Sequence, residues 1–217
     1  PARKRLVAPP RIERKEHIPF ITLLENNSDA KLALHNNLDV LHNGDQTFAS
    51  IVKALEAARE SIHIEYYIFC EDEVGNYIAN LLEKKAREGV EVRLIFDAVG
   101  SWKLSKDFIS RLRASGVEVG RFSPITFPYF THYLNYRNHR KVIVIDGQVG
   151  YIGGMNIADR YVHGIGDQEW RDTMLRIVGG AVYGLQRTFL IDWYFVSRTL
   201  ITDSDYYPPV KLQQPND

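Results

Sequence analysis

Residues 138–146 read Asn-His-Arg-Lys-Val-Ile-Val-Ile-Asp and run into Gly147. The run suits a β-strand, and in a strand residues two apart share a face. His139 and Lys141 therefore project together, and Ile143 and Ile145 carry the same face into an interior. Asp146 has the opposite parity. It stands in an Asp-Gly pair between two apolar runs, which is a strong hairpin signal. The second run, Val149 to Ile152, ends in Gly153-Gly154, and Asn156 follows. His139 and Lys141 can share a site. Asp146 suits the turn or a structural pairing.

The pair suits phosphoryl chemistry. A neutral imidazole is a competent nucleophile near pH 7. A neighbouring ammonium holds phosphate oxygens. Gly153 and Gly154 let backbone approach an anion closely, because no side chain intervenes. Asn156 adds an amide donor. A nucleophilic histidine also needs its second ring nitrogen held, usually by a carboxylate. Asp172, in the later run Trp-Arg-Asp-Thr-Met-Leu-Arg-Ile-Val, is the candidate. A lone histidine is ordinarily structural. A His, a Lys, a glycine pair and an Asn within residues 139–156 outweigh that reading.

The rest of the chain alternates strand and helix. Residues 47–59 and 74–88 place apolar side chains at helical spacing, and Gly89 stands where a helix-ending glycine belongs. Residues 61–69 and 90–97 read as strands, followed by a helix over 104–114 and a short strand near 117–121. The rhythm predicts an α/β fold with a mostly parallel mixed sheet flanked by helices. Ligands on such sheets sit beyond strand ends. Asp97 and Ser101 fall there, and a turn role is preferred for Asp97. A helix over 180–196 offers Val182, Leu185, Phe189, Trp193 and Phe195 for burial in a core.

Charge and the two ends narrow the function. Lys plus Arg and Asp plus Glu both number 27, so the chain lacks the basic excess of a dedicated nucleic-acid binder. A single cysteine, Cys70, excludes an intramolecular disulfide and favours a reducing, cytosol-facing compartment. No apolar stretch is long enough to cross a bilayer as a helix. Residues 1–36 are expected to form an arm whose first 16 residues are rich in Arg and Lys, suited to lying beside an anionic membrane. Residues 37–200 form the catalytic unit, and 201–217 read as a linker. Residues 122–136 hold six aromatics and no charged side chain. Phe127, Tyr129 and Phe130 are the candidate lipid contacts there, with core packing behind the site as the alternative.

The spacing His-x-Lys-x4-Asp-x6-Gly-Gly-x-Asn, filled by His139, Lys141, Asp146, Gly153, Gly154 and Asn156, resembles the signature of the phospholipase D superfamily. The segments 62–69, 89–101, 138–161 and 170–193 are similar to bacterial cardiolipin synthases. The resemblance implies a phospholipase D-like αβα sandwich and phosphodiester chemistry without metal or cofactor. It implies phosphatidyl transfer between phosphatidylglycerol molecules through a phosphohistidine, at the cytoplasmic face of a bacterial cell membrane. Under it, His139 is one of two site histidines and Asp172 orients it. Lys141 and Asn156 hold phosphoryl oxygens, and Asp146 is the motif's third letter. Such synthases carry two motifs, and this sequence carries one. The second comes from another half of a parent chain or from a homodimer mate. A single-motif phosphodiesterase or nuclease working as a homodimer, and an inactive scaffold, are the competing readings.

Overall fold

The computed structural model describes residues 35–122, 137–166, 168 and 170–209, with 23, 25, 26, 32 and 33 besides. The aromatic segment carrying Phe127, Tyr129 and Phe130 lies outside the described residues, as does most of the expected N-terminal arm.

The elements follow in the order β1 (Asn36–Leu41), α1 (Gly44–Ala57), β2 (Ser61–Tyr66), α2 (Glu73–Arg87), β3 (Glu91–Asp97), α3 (Lys106–Ala114) and β4 (Glu118–Phe122). Then come β5 (Lys141–Ile145), β6 (Val149–Gly153), α4 (Arg160–His163), β7 (Met174–Gly179) and α5 (Val182–Ser197). Local chemistry explains the helix starts. The side chains of Asn43, Asp72 and Ser105 accept the N–H groups of Gln46, Gly75 and Phe108, each at 3.0 Å. Each cap satisfies a donor that the first helical turn leaves orphaned. Past α2, Gly89 adopts φ 92°, the left-handed conformation expected of it.

The strands form one mixed sheet in the order β1-β7-β6-β5-β2-β3-β4. Its α/β character is as expected, but its predominant direction is not. Only β2-β3 and β3-β4 pair in parallel, while β1-β7, β2-β5, β5-β6 and β6-β7 are antiparallel. The strand–helix rhythm of residues 61–122 gives the parallel half. The tight turn after β5 forbids it for the β5-β6 pair, because parallel neighbours need a long crossover.

The two faces of the sheet are covered differently. Phe48, Ile51 and Leu55 of α1, Ile78 and Leu82 of α2, and Phe108 and Leu112 of α3 pack on Ile62, Ile64, Leu94, Ile143 and Ile145. On the other face α5 covers the middle strands, with Phe189, Trp193 and the later Tyr207 clustered against Ile95, and Val182 against Val142 and Val144. This is the αβα sandwich. Each fully buried Leu, Ile or Phe in it contributes about 1.5–3 kcal/mol. Of the stripe predicted for α5, Phe195 is exposed and Leu190 takes its place in the core.

Residues 201–209, read as linker from their prolines, are held on the domain. Ser204–Tyr206 form a 3-10 turn, and Tyr207 packs edge-on against Tyr183. The Tyr206 hydroxyl donates to the Glu91 carboxylate at 2.6 Å and accepts from Arg93 at 3.0 Å. Burial opposes the Glu91 charge, but hydrogen bonds from His63 and Tyr206 and the Arg93 guanidinium hold its pKa down to about 2. His63 is wholly buried, stacked on Phe189 and hydrogen-bonded to Gln186, and burial pushes its pKa down.

Candidate active site

The site stands where β5 begins. His139 is exposed, and Lys141, two residues on, is buried beneath it. The Lys141 Nζ lies 3.1 Å from both ring nitrogens of His139 and 2.8 Å from the His139 carbonyl oxygen. Tyr67, just past β2, forms the floor. Its ring sits 4.6 Å from the His139 ring and 5.2 Å from the Lys141 ammonium. Burial pulls Lys141 down to about 8, against the opposing charge of Asp172. The ammonium therefore still predominates at neutral pH, in a setting where its charge is poorly screened.

Asn138 fixes the approach to this strand. It is buried, and its N–H donates to Asp97 Oδ2 at 3.3 Å. Its side-chain Nδ2 donates to Glu65, and its Oδ1 accepts the Arg140 N–H at 3.1 Å. Asp97 also accepts the N–H groups of Val99 and Gly100, both at 2.9 Å. The turn role preferred for Asp97 is thus what it performs, together with a brace on Asn138. Ser101 is likewise structural: its hydroxyl accepts the Phe69 N–H and donates to the Tyr67 carbonyl. Behind Asn138, burial and the adjacent Asp192 push the Glu65 carboxyl well above the usual carboxylate range. Asp192 in turn pairs with Arg140. Sequence reasoning missed Glu65, Tyr67, Asn138 and Asp192. The available signal was Glu65, an acid set within the inward-facing run Ser-Ile-His-Ile-Glu-Tyr.

The remaining motif residues divide. Asp146 is at the far end of β5 and takes no part in the His139 pocket. Its carboxylate accepts the N–H groups of Arg59, Glu60 and Ser61 at 2.8–3.2 Å. Asp146 and Gly147 both have positive φ, 51° and 62°, the signature of a two-residue hairpin turn. A cleft of about 620 Å³ lined by Lys53, Asp146 and Arg176 lies at that end, away from His139.

Gly153 and Gly154 serve close packing rather than an open anion cradle. A Cβ on Gly153 would stand 2.3 Å from the Thr173 carbonyl oxygen, and one on Gly154 would stand 2.0 Å from Asp172 Oδ1. The Gly154 N–H is already donated to Thr173 O at 3.0 Å. What approaches Gly154 is the Asp172 carboxylate, which is thereby brought near Lys141. Asp172 accepts the Thr173 N–H at 2.7 Å, whereas the contacts of His139 run to Lys141 and Tyr67. Asn156 is buried. Its Oδ1 accepts the Ile68 N–H at 3.0 Å and its Nδ2 donates to the Tyr161 hydroxyl at 2.7 Å. One Nδ2–H remains beyond these two bonds. The structure thus gathers His139, Lys141, Asp172, Gly154 and Asn156 at one end of the sheet and sends Asp146 to the other. Among the described residues no group of three or more His, Cys, Asp and Glu side chains is placed to hold a metal ion.

Comparison with known proteins bears on the family and the fold. Residues 51–189 match the family described as cardiolipin synthase, phospholipase D-like domain. A cardiolipin synthase of Geobacillus kaustophilus is 46% identical over 195 residues, covering 88% of this chain and 38% of that protein. A probable cardiolipin synthase of Bacillus subtilis is 39% identical over 214 residues, covering 92% of this chain and 42% of that protein. The chain therefore spans about two fifths of the length of these relatives. Among solved structures, a phosphatidylserine synthase of Haemophilus influenzae superposes with a TM-score of 0.57 at 16% identity, covering 80% of this chain and 40% of that one. The phospholipase D family member Nuc of Salmonella typhimurium gives 0.55 at 17% identity, covering 75% and 95%. These last two carry the fold alone. With the family match spanning residues 51–189, well over half of the chain, the chain belongs to the phospholipase D-like domain family of the cardiolipin synthases.

Proposed function

We propose that this chain is the first catalytic half of a cardiolipin synthase, transferring a phosphatidyl group from one phosphatidylglycerol to another. The observation that carries the reading is the exposed His139 imidazole with the Lys141 ammonium 3.1 Å from both its nitrogens. A ring nitrogen of His139 attacks phosphorus, and the bond from phosphorus to the headgroup glycerol oxygen breaks. The leaving glycerol takes a proton from an acid on the far side of phosphorus. In the second step the hydroxyl of another phosphatidylglycerol returns a proton to that acid and attacks phosphorus, releasing His139. Atoms balance as two phosphatidylglycerols giving one cardiolipin and one glycerol.

Lys141 stabilises the charge that builds on the phosphoryl oxygens in both steps, and preorganised charge of this kind is a large catalytic contribution. Asp172, near Lys141 and against Gly154, keeps the ammonium charged; orienting His139 would need a shift toward the ring when substrate binds. The far acid comes from the second motif of a longer parent chain. The reaction takes place at the cytoplasmic face of a bacterial membrane, consistent with the unpaired thiol of Cys70.

Incubation with phosphatidylglycerol carrying labelled phosphorus, followed by an alkaline quench that preserves phosphohistidine, tests the reading. With the second-motif half supplied, label is expected on the wild-type chain and absent from His139→Ala. Full labelling of His139→Ala rejects the assignment. Light scattering adds a discriminator: a stable species at twice 25.0 kDa would place the second histidine on a partner copy and favour the homodimeric phosphodiesterase.

A further inference from the structure

Two tryptophans are exposed beside the site. Trp102, in the loop after β3, is 72% exposed, and Trp170, in the segment before β7, is 46% exposed. β3 runs antiparallel to β5 through β2, and β7 runs with β5 through β6, so both loops lie at the end of the sheet that carries His139. An exposed indole in water is unfavourable unless its ring finds a partner.

Trp102 is not out in solvent because its loop is loose. The Ser101 N–H donates to Asp97 O at 2.9 Å, its hydroxyl bonds to both Phe69 and Tyr67, and the Trp102 N–H reaches Val99 O. The indole is thus displayed from a pinned turn, next to the Tyr67 that underlies His139. Trp170 stands edge-on to Tyr161 at 6.3 Å, and the Tyr161 hydroxyl accepts from Asn156. Each ring carries a cation. Lys103 Nζ is 5.6 Å from the Trp102 ring, and the Arg160 guanidinium is 5.7 Å from the Trp170 ring.

We propose that Trp102 and Trp170, with Lys103 and Arg160, are a two-point anchor that seats the mouth of the site on an anionic phospholipid surface. Tryptophan favours the headgroup level of a bilayer, where its ring is buried and its N–H stays wet. Lysine and arginine beside it meet the negative surface charge. A ring flanking the site on either side would present His139 to the headgroup phosphates rather than to the acyl chains. The inference deepens the lipid reading of the site and rests on it for the substrate. The anchor's own evidence is the paired exposure and the paired cations. Indoles beside cations also suit stacking on single-stranded nucleic acid. The zero net charge of the chain disfavours that occupant, since nucleic-acid affinity is dominated by basic excess.

The test uses the tryptophan emission of the whole chain. It has three tryptophans, and Trp193 is already buried, so a blue shift reports Trp102 and Trp170. Vesicles of phosphatidylglycerol are expected to shift the emission to the blue, and phosphatidylcholine vesicles are not. In co-sedimentation, Trp102→Ala and Trp170→Ala should each weaken binding to phosphatidylglycerol vesicles by about tenfold or more. Lys103→Ala should weaken it about fivefold at low salt and less at high salt. Unchanged binding in both tryptophan variants overturns the anchor, as does an equal shift on phosphatidylcholine. Emission quenched by a single-stranded oligonucleotide but not by vesicles overturns it in favour of nucleic acid. Vesicle binding with no phosphohistidine label leaves the anchor standing and removes the transferase reading alone.

Discussion

The two ends of β5 are built from one motif and do opposite things. At the Asp146 end the carboxylate and the turn are tied down: three backbone N–H groups converge on one carboxylate, and the turn is closed by Gln148 N–H to Ile145 O at 3.0 Å. At the His139 end an imidazole stands exposed over a buried ammonium whose charge form is disfavoured by its surroundings. The four apolar residues Val142–Ile145 separate them. The difference teaches that one strand can be anchored by hydrogen bonds at one end while holding an exposed imidazole over a buried ammonium at the other.

Breaking the open end should cost function and little stability. His139→Ala is expected to lower phosphatidyl transfer at least about 10³-fold, as loss of a nucleophile does. Its stability should stay within ~0.5 kcal/mol of wild type, because the side chain is exposed; calorimetry checks this. Lys141→Met should lower transfer by on the order of 10²-fold and raise Tm at neutral pH. The sign follows from its pKa. Held near 8 against 10.5 in the unfolded chain, Lys141 binds fewer protons folded than unfolded between those values, so wild-type stability rises with pH there. Lys141→Met should remove that rise, and wild-type transfer should fall as pH passes 8. A flat wild-type Tm between pH 8 and 10.5 would contradict the burial of this amine.

Breaking the saturated end should do the reverse. Asp146→Ala leaves the N–H groups of Arg59, Glu60 and Ser61 without their acceptor and should cost about 2–3 kcal/mol, or roughly 4–12 °C in Tm. At a temperature where both proteins are folded, labelling of His139 should change less than about twofold, since the ends are distant. The smallest effect sharpens the comparison from behind. Glu65→Gln mimics a carboxyl that is already protonated, so stability at mildly acidic pH should match wild type within ~0.5 kcal/mol. A raised pKa means the folded chain holds a proton that the unfolded one loses, so wild-type stability falls as pH rises above the ordinary carboxylate range. Chemical denaturation across pH should show Glu65→Gln gaining on wild type steadily.

The sequence was most readable where one residue type meets one geometric demand. The shared face of His139 and Lys141 follows from strand periodicity, the Asp-Gly turn from its two positive φ values, and the end of α2 from Gly89. It was least readable where the demand comes from distant partners. β1 went unread because Asn-Asn-Leu-Asp-Val-Leu is polar and exposed, and only pairing with β7 makes it a strand. The glycine pair looked like an anion cradle, because nothing local reveals that Thr173 and Asp172 occupy the space above it. The brace on Asn138 joins residues 65, 97 and 138 from three strand ends, and no spacing rule links them. The prolines at 208 and 209 suggested a free connection, and the tyrosines just before them hold it down.

The antiparallel seating of β5 beside β2 also sets an order of events during synthesis. β2, β3 and β4 are complete by Phe122, and they can assemble with α1, α2 and α3 as a parallel unit. The other edge of β2, a strand buried throughout in the middle of the sheet, has no mate until Lys141–Ile145 leaves the ribosome. About 75 residues part the two strands, an interval of roughly 4–15 s at ordinary elongation speeds. For that time the nascent chain presents an open hydrogen-bonding edge of the kind that invites association with other chains. The strand that brings Lys141 to its place beside His139 is also the one that covers this edge.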